Sequence, residues 1–359
     1  GQGPLRLLLA LAHGRSSRVV TLRADGLPPV REVVVREGPA PDEEPDRLAP
    51  PPPPSSPAEA VAGSAVLAPL TGLVDNSLVQ RSEVEGVSRY TLLETVREFA
   101  LEALHSSGGF DAAQARHAAY FVDLAETAGP LFLGPKIGFW MNRIESELPN
   151  LRAAVAWCRG NDVGLGLRLI GAINRFWYSR GHMREAHAWF EDLLAMATPA
   201  TVSPDDLALG QTAAGVLAHR SSDNSTARRR LEAGLALYEQ IGDRRRYASA
   251  LNNIGNVLLS GGDLVGAEDH YRRNLALHDH LNEPWSVASG TNNLGEAVRL
   301  QGRYAEAAAL FEDCIARYLA LEDVSSAASS MTNLASVRIQ LGDALEARRL
   351  CERALVLLA

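Results

Sequence analysis

Lysine is almost absent from this chain of 359 residues: Lys136 is the only one, and the other 34 of the 35 basic residues are arginine. We interpret this bias as GC-rich coding, so it assigns no function to the arginines. The three cysteines, Cys158, Cys314 and Cys351, lie far apart, which argues against a disulfide framework or a zinc cluster. The formal net charge of -8 argues against a surface that binds nucleic acid directly.

Long apolar runs are missing as well. The longest run near the N-terminus, residues 7–12, is too short for a signal-peptide core, and no run approaches the length of a membrane span. With 46% hydrophobic residues the chain still has enough apolar material for packed cores. We therefore expect a cytoplasmic, helical protein with no membrane association.

Motifs for catalysis or nucleotide binding are also lacking. The chain contains no G-x-x-x-x-G-K-[ST] loop, since Lys136 lies in the unrelated stretch LGPKI, and it contains no G-x-S-x-G elbow. His278 and His280 stand two residues apart on a predicted helix and so point in different directions, which favours solvent-facing side chains over metal ligands. The sequence predicts no enzyme, with no catalytic, cofactor-binding or metal-ligating residue.

Proline is concentrated near the N-terminus, where eleven of the 19 prolines lie between Pro28 and Pro57. The unbroken run Pro50–Pro54 and the acidic residues before it cannot supply a packed core. A ligand for an SH3-like module is a less common use of such a run than a stiff linker. Residues 1–57 are therefore predicted to be a disordered or aberrant segment.

Residues 58–108 predict a small unit made of a helix, a β-hairpin and a second helix. Two strand-like stretches, one ending at Gln80 and one beginning at Arg89, flank a glycine-containing turn. The apolar face predicted for the second helix consists of Leu92, Val96, Phe99 and Ala103. This order of elements predicts a winged-helix-like unit, and the helical periodicity of residues 109–160 predicts a helical connector.

The part of the chain from residue 161 to 359 repeats itself with a period of 40 residues. The pentapeptide that begins at Leu251 recurs at Thr291 and again at Met331. Small residues recur in the same register at Gly255, Gly262, Ala267, Gly295, Gly302, Ala307, Gly342 and Ala347. So strict a repeat predicts an all-α solenoid of helical hairpins, and the offsets resemble those of tetratricopeptide repeats.

Each repeat position has a physical reason. Glycine at 255 and 295 lets the first helix of a hairpin approach the second, and glycine at 262, 302 and 342 permits positive φ where the first helix ends. Alanine at 267, 307 and 347 permits close helix crossing, and Cys351 stands where sister repeats have Tyr271 and Phe311, which predicts a core position. We expect five hairpins in a right-handed superhelix. The pattern ends at Ala359 inside a second helix, which predicts a C-terminally truncated array.

Asparagines in the first helix of each repeat are the candidate binding residues. They are Asn252, Asn253, Asn292, Asn293 and Asn333. Asparagine has no propensity advantage inside a helix, so its repetition needs another cause. An amide row on the concave surface would suit the backbone of an extended peptide. The alternative is a ladder of amide bonds between neighbouring hairpins, and we slightly favour ligand contact.

Three segments resemble bacterial signal-transduction ATPases with numerous domains, the LuxR-like and antibiotic-pathway regulators of actinobacteria. These are residues 73–104, 147–154 and 175–182. The resemblance implies a nucleotide-binding domain and an effector domain elsewhere in a longer protein, with this chain as its winged helix and sensory repeat arm. Because the phosphate loop is missing, this chain itself is not expected to bind ATP.

The sequence leaves two classes of function open. One is the sensory and protein-interaction arm of a multidomain ATPase that regulates transcription. The other is a free-standing tetratricopeptide adaptor, or the arm of a kinase- or cyclase-linked signalling protein. In both, the expected partner is a protein or peptide in the concave groove.

Overall fold

The computed structural model describes residues 21–22, 70–84, 87–132, 136–278 and 283–358. These residues form two compact units. The first comprises the described residues up to His182 together with Ala195–Thr201, and the second comprises Met183–Leu194 and the described residues from Val202 onward. Apart from Thr21 and Leu22, the segment predicted to be disordered, residues 1–57, lies outside the described residues.

A small sheet begins the first unit. Its strands are β1 (Thr21–Leu22), β2 (Val79–Val84) and β3 (Val87–Leu92). The hairpin strands β2 and β3 pair antiparallel, and β1 lies parallel on the other side of β3. Residues 70–75 are helical and a helix, α1 (Glu94–Ser106), follows β3, so the expected order of helix, hairpin and helix is present. The winged-helix assignment remains a prediction.

The buried face of α1 differs from the predicted one. Phe99, which the periodicity placed on that face, is 67% exposed. The buried residues are Arg97, Ala100 and Leu104. Arg97 can occupy a buried position because its guanidinium pairs with Glu94 one turn earlier. The apolar pattern identified the helix, but the most buried face is displaced from the predicted one, on which Val96 and Ala103 are half-buried.

Five further helices complete the first unit: α2 (Phe110–Leu131), α3 (Ile137–Ser146), α4 (Leu148–Asn161), α5 (Val163–Ala172) and α6 (Asn174–Ser179). Helices α2, α4 and α5 pack on one another around a buried core. At Gly129 in α2 a Cβ atom would collide with the backbone of Ala172, so glycine permits the close approach of α5. Helix α5 belongs to this core, and the first unit extends to His182. The predicted division into domains remains a prediction.

His117, on α2, is a buried histidine of this core. Both its ring nitrogens are buried, and the ring packs against Phe121. Burial lowers the pKa of His117 from 6.5 to about 4, against a smaller opposing effect of Asn150. The folded first unit thus holds this imidazole in its neutral form.

The second unit consists of one helix and four helical hairpins. In order these are α7 (Met183–Met196), α8 (Pro204–Arg220), α9 (Asn224–Ile241), α10 (Arg244–Ser260), α11 (Leu264–His278), α12 (Pro284–Leu300), α13 (Tyr304–Ala320), α14 (Val324–Gln340) and α15 (Ala344–Leu358). From α8 onward each helix packs on the next, and the first helices of successive hairpins, α8, α10, α12 and α14, also touch. This stacking is the expected tetratricopeptide-like solenoid. The predicted handedness remains a prediction.

Small residues permit close contact inside each hairpin. A Cβ at Gly255 would lie 2.5 Å from the ring of Tyr271, and one at Gly295 would lie 3.0 Å from the ring of Phe311. The alanine of the second helix is buried in each case, at Ala267, Ala307 and Ala347. Each aromatic ring of α11 and α13 therefore fills the space that the missing Cβ leaves.

The turn inside each hairpin requires a residue whose backbone adopts the left-handed conformation. Gly262, Gly302 and Gly342 have φ between 80° and 84°, and Ser222 takes the equivalent place in the α8–α9 hairpin with φ 64°. Positive φ is strained for a residue with a Cβ, which accounts for glycine at three of the four turns.

Six helix starts of the second unit are fixed by a short polar side chain, whereas Glu283 and Arg303 at the starts of α12 and α13 form no such bond. A side-chain oxygen accepts a backbone N–H of the first turn at Ser203, Asp223, Asp243, Asp263, Asp323 and Asp343. At Asp223 the N–H of Thr226 is the main reason that the carboxyl pKa falls to about 2. These caps satisfy N–H groups that a helix cannot satisfy itself, and they mark the helix starts.

The last hairpin differs from the inner ones. Cys351 is exposed, although Leu231, Tyr271 and Phe311 are fully buried at the same repeat position. The core prediction for Cys351 is therefore wrong, because no helix among the described residues covers the outer side of α15.

Overpacking tests the close contact within a hairpin. We predict that Ala307→Leu destabilises the second unit by about 1–3 kcal/mol, because the extra carbons have no space at a fully buried position. Ala316→Leu, at an exposed position of the same helix, is the matched control and should change stability little. Chemical denaturation followed by circular dichroism measures both, and equal effects would contradict the packing described here.

Acid unfolding tests the buried imidazole. An unfolded chain binds a proton on this side chain near pH 6.5, whereas the folded unit resists it until about pH 4, so stability is lost as pH falls through that window. As the pH falls to about 4, the free energy of unfolding should decrease by roughly 2–3 kcal/mol less in His117→Leu than in the parent. Denaturation midpoints of parent and variant at pH 7.5, about 5 and about 4 measure it. Parallel pH profiles would show that folding does not lower the pKa of His117.

Candidate ligand-binding groove

The five candidate asparagines lie on the first helices of three successive hairpins. Asn252 and Asn253 belong to α10, Asn292 and Asn293 to α12, and Asn333 to α14. All five are partly buried. Because equivalent helices are stacked side by side, equivalent positions form a row along one face of the second unit.

Most of these amides are bonded to the neighbouring hairpin. Asn293 Nδ2 donates to Asn252 Oδ1 at 3.0 Å, and Asn333 Nδ2 donates to Asn292 Oδ1 at 3.2 Å. Asn292 Oδ1 also accepts from the hydroxyl of buried Ser330 at 3.1 Å. The two asparagine positions therefore have different roles: the second amide of one hairpin donates a hydrogen bond to the first amide of the hairpin before it.

Asn253 is the exception in this row. It forms no hydrogen bond with any described residue. The position 41 residues earlier, where the ladder would place its partner, is Thr212, and no bond joins the two side chains. The amide therefore keeps its donor and acceptor groups available. Among the five candidates, Asn253 has the most unused hydrogen-bonding capacity.

A cavity of about 310 Å³ opens beside Asn253. Its walls come from α8, α10 and α12 with one residue of α9, and they consist of Val216, His219, Arg220, Leu231, Asn253, Asn256, Leu259, Ser260 and Asn293. Asn256 is oriented by the hydroxyl of Tyr271, which donates to its Oδ1 at 2.7 Å. The sequence pattern singled out two of these residues, Asn253 and Asn293, and it missed the cavity.

His278 is not solvent-facing as predicted. Its side chain is 2% exposed and lies 3.2 Å from the carboxylate of Glu283, which also pairs with Arg245 at 2.5 Å. Burial lowers the pKa of His278, and the carboxylate opposes that shift. The residue fills the position that Tyr238 and Tyr318 fill in sister hairpins, which explains why it is buried.

No group of three or more histidine, cysteine or acidic side chains among the described residues is placed to hold a metal ion. None of the described helices combines the length and the apolar character that a membrane span requires.

A double-mutant cycle tests the ladder. Asn252→Ala and Asn293→Ala should each destabilise the second unit, and their coupling should be about 0.5–1 kcal/mol because they remove one shared, partly buried hydrogen bond. Asn252 and Asn333, which share no bond, form the control pair with coupling near zero. A coupling energy near zero for the first pair would show that the two amides are not bonded in solution.

Comparison with known proteins supports the repeat fold. Residues 246–320, which cover the hairpins α10–α11 and α12–α13, match the family model of the tetratricopeptide repeat. The crystal structure of the apo form of RapI is similar with a TM-score of 0.51 at 8% identity, over 74% of this chain and 70% of that one. A signal transduction ATPase with numerous domains from Pyrococcus horikoshii, which has a tetratricopeptide repeat sensor, aligns with a TM-score of 0.47 at 13% identity, over 76% of this chain and 49% of that one.

The similar curated proteins are much longer than the matching region. A stretch of 130 residues, 36% of this chain, is 42% identical to proteins from Mycobacterium tuberculosis and Mycobacterium bovis that are named for a proposed role as HTH-type transcriptional regulators. The alignment covers 14% of the length of those proteins. The chain therefore has a tetratricopeptide-like fold and shares one segment with these regulators.

Proposed function

We propose that this chain is a non-catalytic arm that binds a protein or peptide and senses it for a larger regulator of transcription. The observation that carries the proposal is the cavity beside Asn253, which lies on the face formed by the first helices of a tetratricopeptide-like array. Grooves of this kind suit an extended peptide, because side-chain amides replace the water that its backbone loses.

The regulatory part of the proposal rests on the shared segment. An identity of 42% over 130 residues to proteins named as HTH-type transcriptional regulators favours a role in transcription. The resemblance of residues 73–104 to a winged helix of LuxR-like ATPases supports the same assignment. The nucleotide-binding and effector domains would then lie elsewhere in a longer polypeptide.

The asparagines have different parts in this proposal. Asn252, Asn292 and Asn333 hold neighbouring hairpins together, and Asn253 and Asn293 line the cavity. Asn253 contacts the ligand backbone, and Asn293 has one bond to its neighbour and further capacity for the ligand.

Peptide binding tests the proposal. The chain is applied to a printed array of random heptapeptides, and we expect a subset of them to bind. Asn253→Ala should weaken that binding by roughly 1 kcal/mol, about fivefold, while the melting temperature stays unchanged because the amide has no internal partner.

The same peptide array provides the control and the result that would contradict the proposal. Asn161→Ala, at an exposed amide of the first unit, should leave peptide binding unchanged. If the array shows no selective peptide binding, or if the Asn253 variant binds as the parent does, this assignment of the groove is wrong.

A further inference from the structure

The outward side of α15 carries a stripe of four exposed residues. They follow one another at spacings of three, four and three residues, and they are Leu345, Arg348, Glu352 and Leu355. These spacings place all four on one side of a helix, and they are the spacings at which two helices pair. The exposed fractions of the four residues lie between 58% and 76%. The stripe therefore has the form of a helix-pairing surface that no described helix covers.

The same positions face a neighbouring hairpin elsewhere in the second unit. On α13 the residue in the place of Leu355 is Ile315, and it is buried. On α11 the residue in the place of Arg348 is Glu268, which pairs at 2.7 Å with Arg303 at the start of α13. Side chains at these positions therefore reach an adjoining hairpin when one is present, by apolar contact and by ion pairing.

The order of the four residues in the stripe is complementary to itself. Along α15 it is apolar, positive, negative and apolar, and in the reverse direction it is apolar, negative, positive and apolar. An antiparallel copy centred on residue 350 would place Leu345 against Leu355 at both ends. In the middle it would place each Arg348 against a Glu352 of the other copy. Because Arg348 and Glu352 also pair within α15 at 2.7 Å, the four charges would alternate in sign.

We propose that two copies of this chain associate through α15, with the two helices antiparallel about a two-fold axis at residue 350. A two-fold contact uses the same patch on both copies, so it requires a patch that is complementary to itself. The leucines bury apolar surface, and the charges select the direction, since a parallel pair in register would oppose Arg348 to Arg348. The contact is separate from the proposed groove, because α15 contributes no residue to the cavity.

The stripe is short, so the dimer should be weak. We expect half of the chains to be paired at a concentration on the order of 10–100 μM. Analytical ultracentrifugation of the full chain between about 1 and about 200 μM measures this association. The mass should rise from 38.6 kDa towards twice that value. A mass that stays at 38.6 kDa over the whole range would overturn the proposal.

Charge reversal tests the direction and register of the pair. Arg348→Glu makes both charges of the stripe negative, and Glu352→Arg makes both positive. Each variant alone should associate at least about tenfold more weakly than the parent, because like charges meet across the two-fold axis. An equimolar mixture of the two variants should regain the association of the parent, since every charge then meets its opposite. Circular dichroism checks that both variants keep the helix content of the parent.

The matched control comes from the same positions of an inner hairpin. On α9, Arg228 and Glu232 form the same pair at 2.8 Å and are also exposed, but Ser225 stands in the place of Leu345. Arg228→Glu should therefore leave the association unchanged. If this variant weakens the association as much as Arg348→Glu does, or if the mixture of the two reversed variants fails to recover it, the antiparallel pair is refuted.

Cys351 reports on the geometry, because it is the exposed cysteine next to the axis, whereas Cys158 and Cys314 are buried. At the usual distance between packed helices the two Cys351 side chains would lie about 8–10 Å apart, on the same side of the helix pair. A bismaleimide that spans about 10 Å should join two parent chains and should not join Cys351→Ser chains. A parent that sediments as a dimer and gives no crosslinked product would show that α15 is not the contact.

Discussion

A single helical hairpin from this chain leaves an apolar face in water, and only the neighbouring hairpin can cover it. In the inner hairpins Tyr271 and Phe311 fill the space against glycines of the first helix and are fully buried. On the outer face of α15, by contrast, Leu355 is 70% and Leu358 is 60% exposed, whereas Ile315 and Tyr318 at the same positions of the preceding hairpin are buried. The second unit depends on this neighbour-to-neighbour burial.

The groove is a consequence of the same stacking. Because each first helix must lie beside the next at a fixed distance, residues 41 apart come within hydrogen-bond reach, as Asn252 and Asn293 do. Where both partners are asparagine, the row of amides therefore stabilises the contact between neighbouring hairpins. At Asn253 the earlier partner is Thr212 and the bond is absent, so the amide is available where the cavity opens. A break in a structural pattern thus coincides with the candidate site.

The 40-residue register predicted the hairpins, and it did so because each small residue has a steric cause that the sequence displays. The roles of Gly302 and Ala307 follow from the sequence alone, since positive φ and close helix crossing exclude larger residues. The capping side chains at Asp223, Asp263 and Asp343 carried a further signal in the same register, although Arg303 interrupts it.

The sequence pattern could not predict the properties that depend on neighbouring structural elements, such as the burial of a side chain. Phe99 lies on a plausible apolar face but is exposed, His278 is polar but buried, and Cys351 occupies a core position that nothing described covers. The amide bonds were also ambiguous, because a repeat of asparagine is compatible with a ligand or with a ladder. The cavity depends on side chains from four helices, and a period along one chain does not show which of them meet.

Hydrogen exchange of the intact chain, resolved helix by helix with mass spectrometry, tests the account most directly. If burial between neighbouring hairpins holds the second unit together, the amides of α15 exchange first, and protection rises inward through α14 and α13 to α10–α12. If α8 to α15 instead exchange together at one common rate, the unit opens only as a whole, and cohesion between neighbours is not what limits its stability.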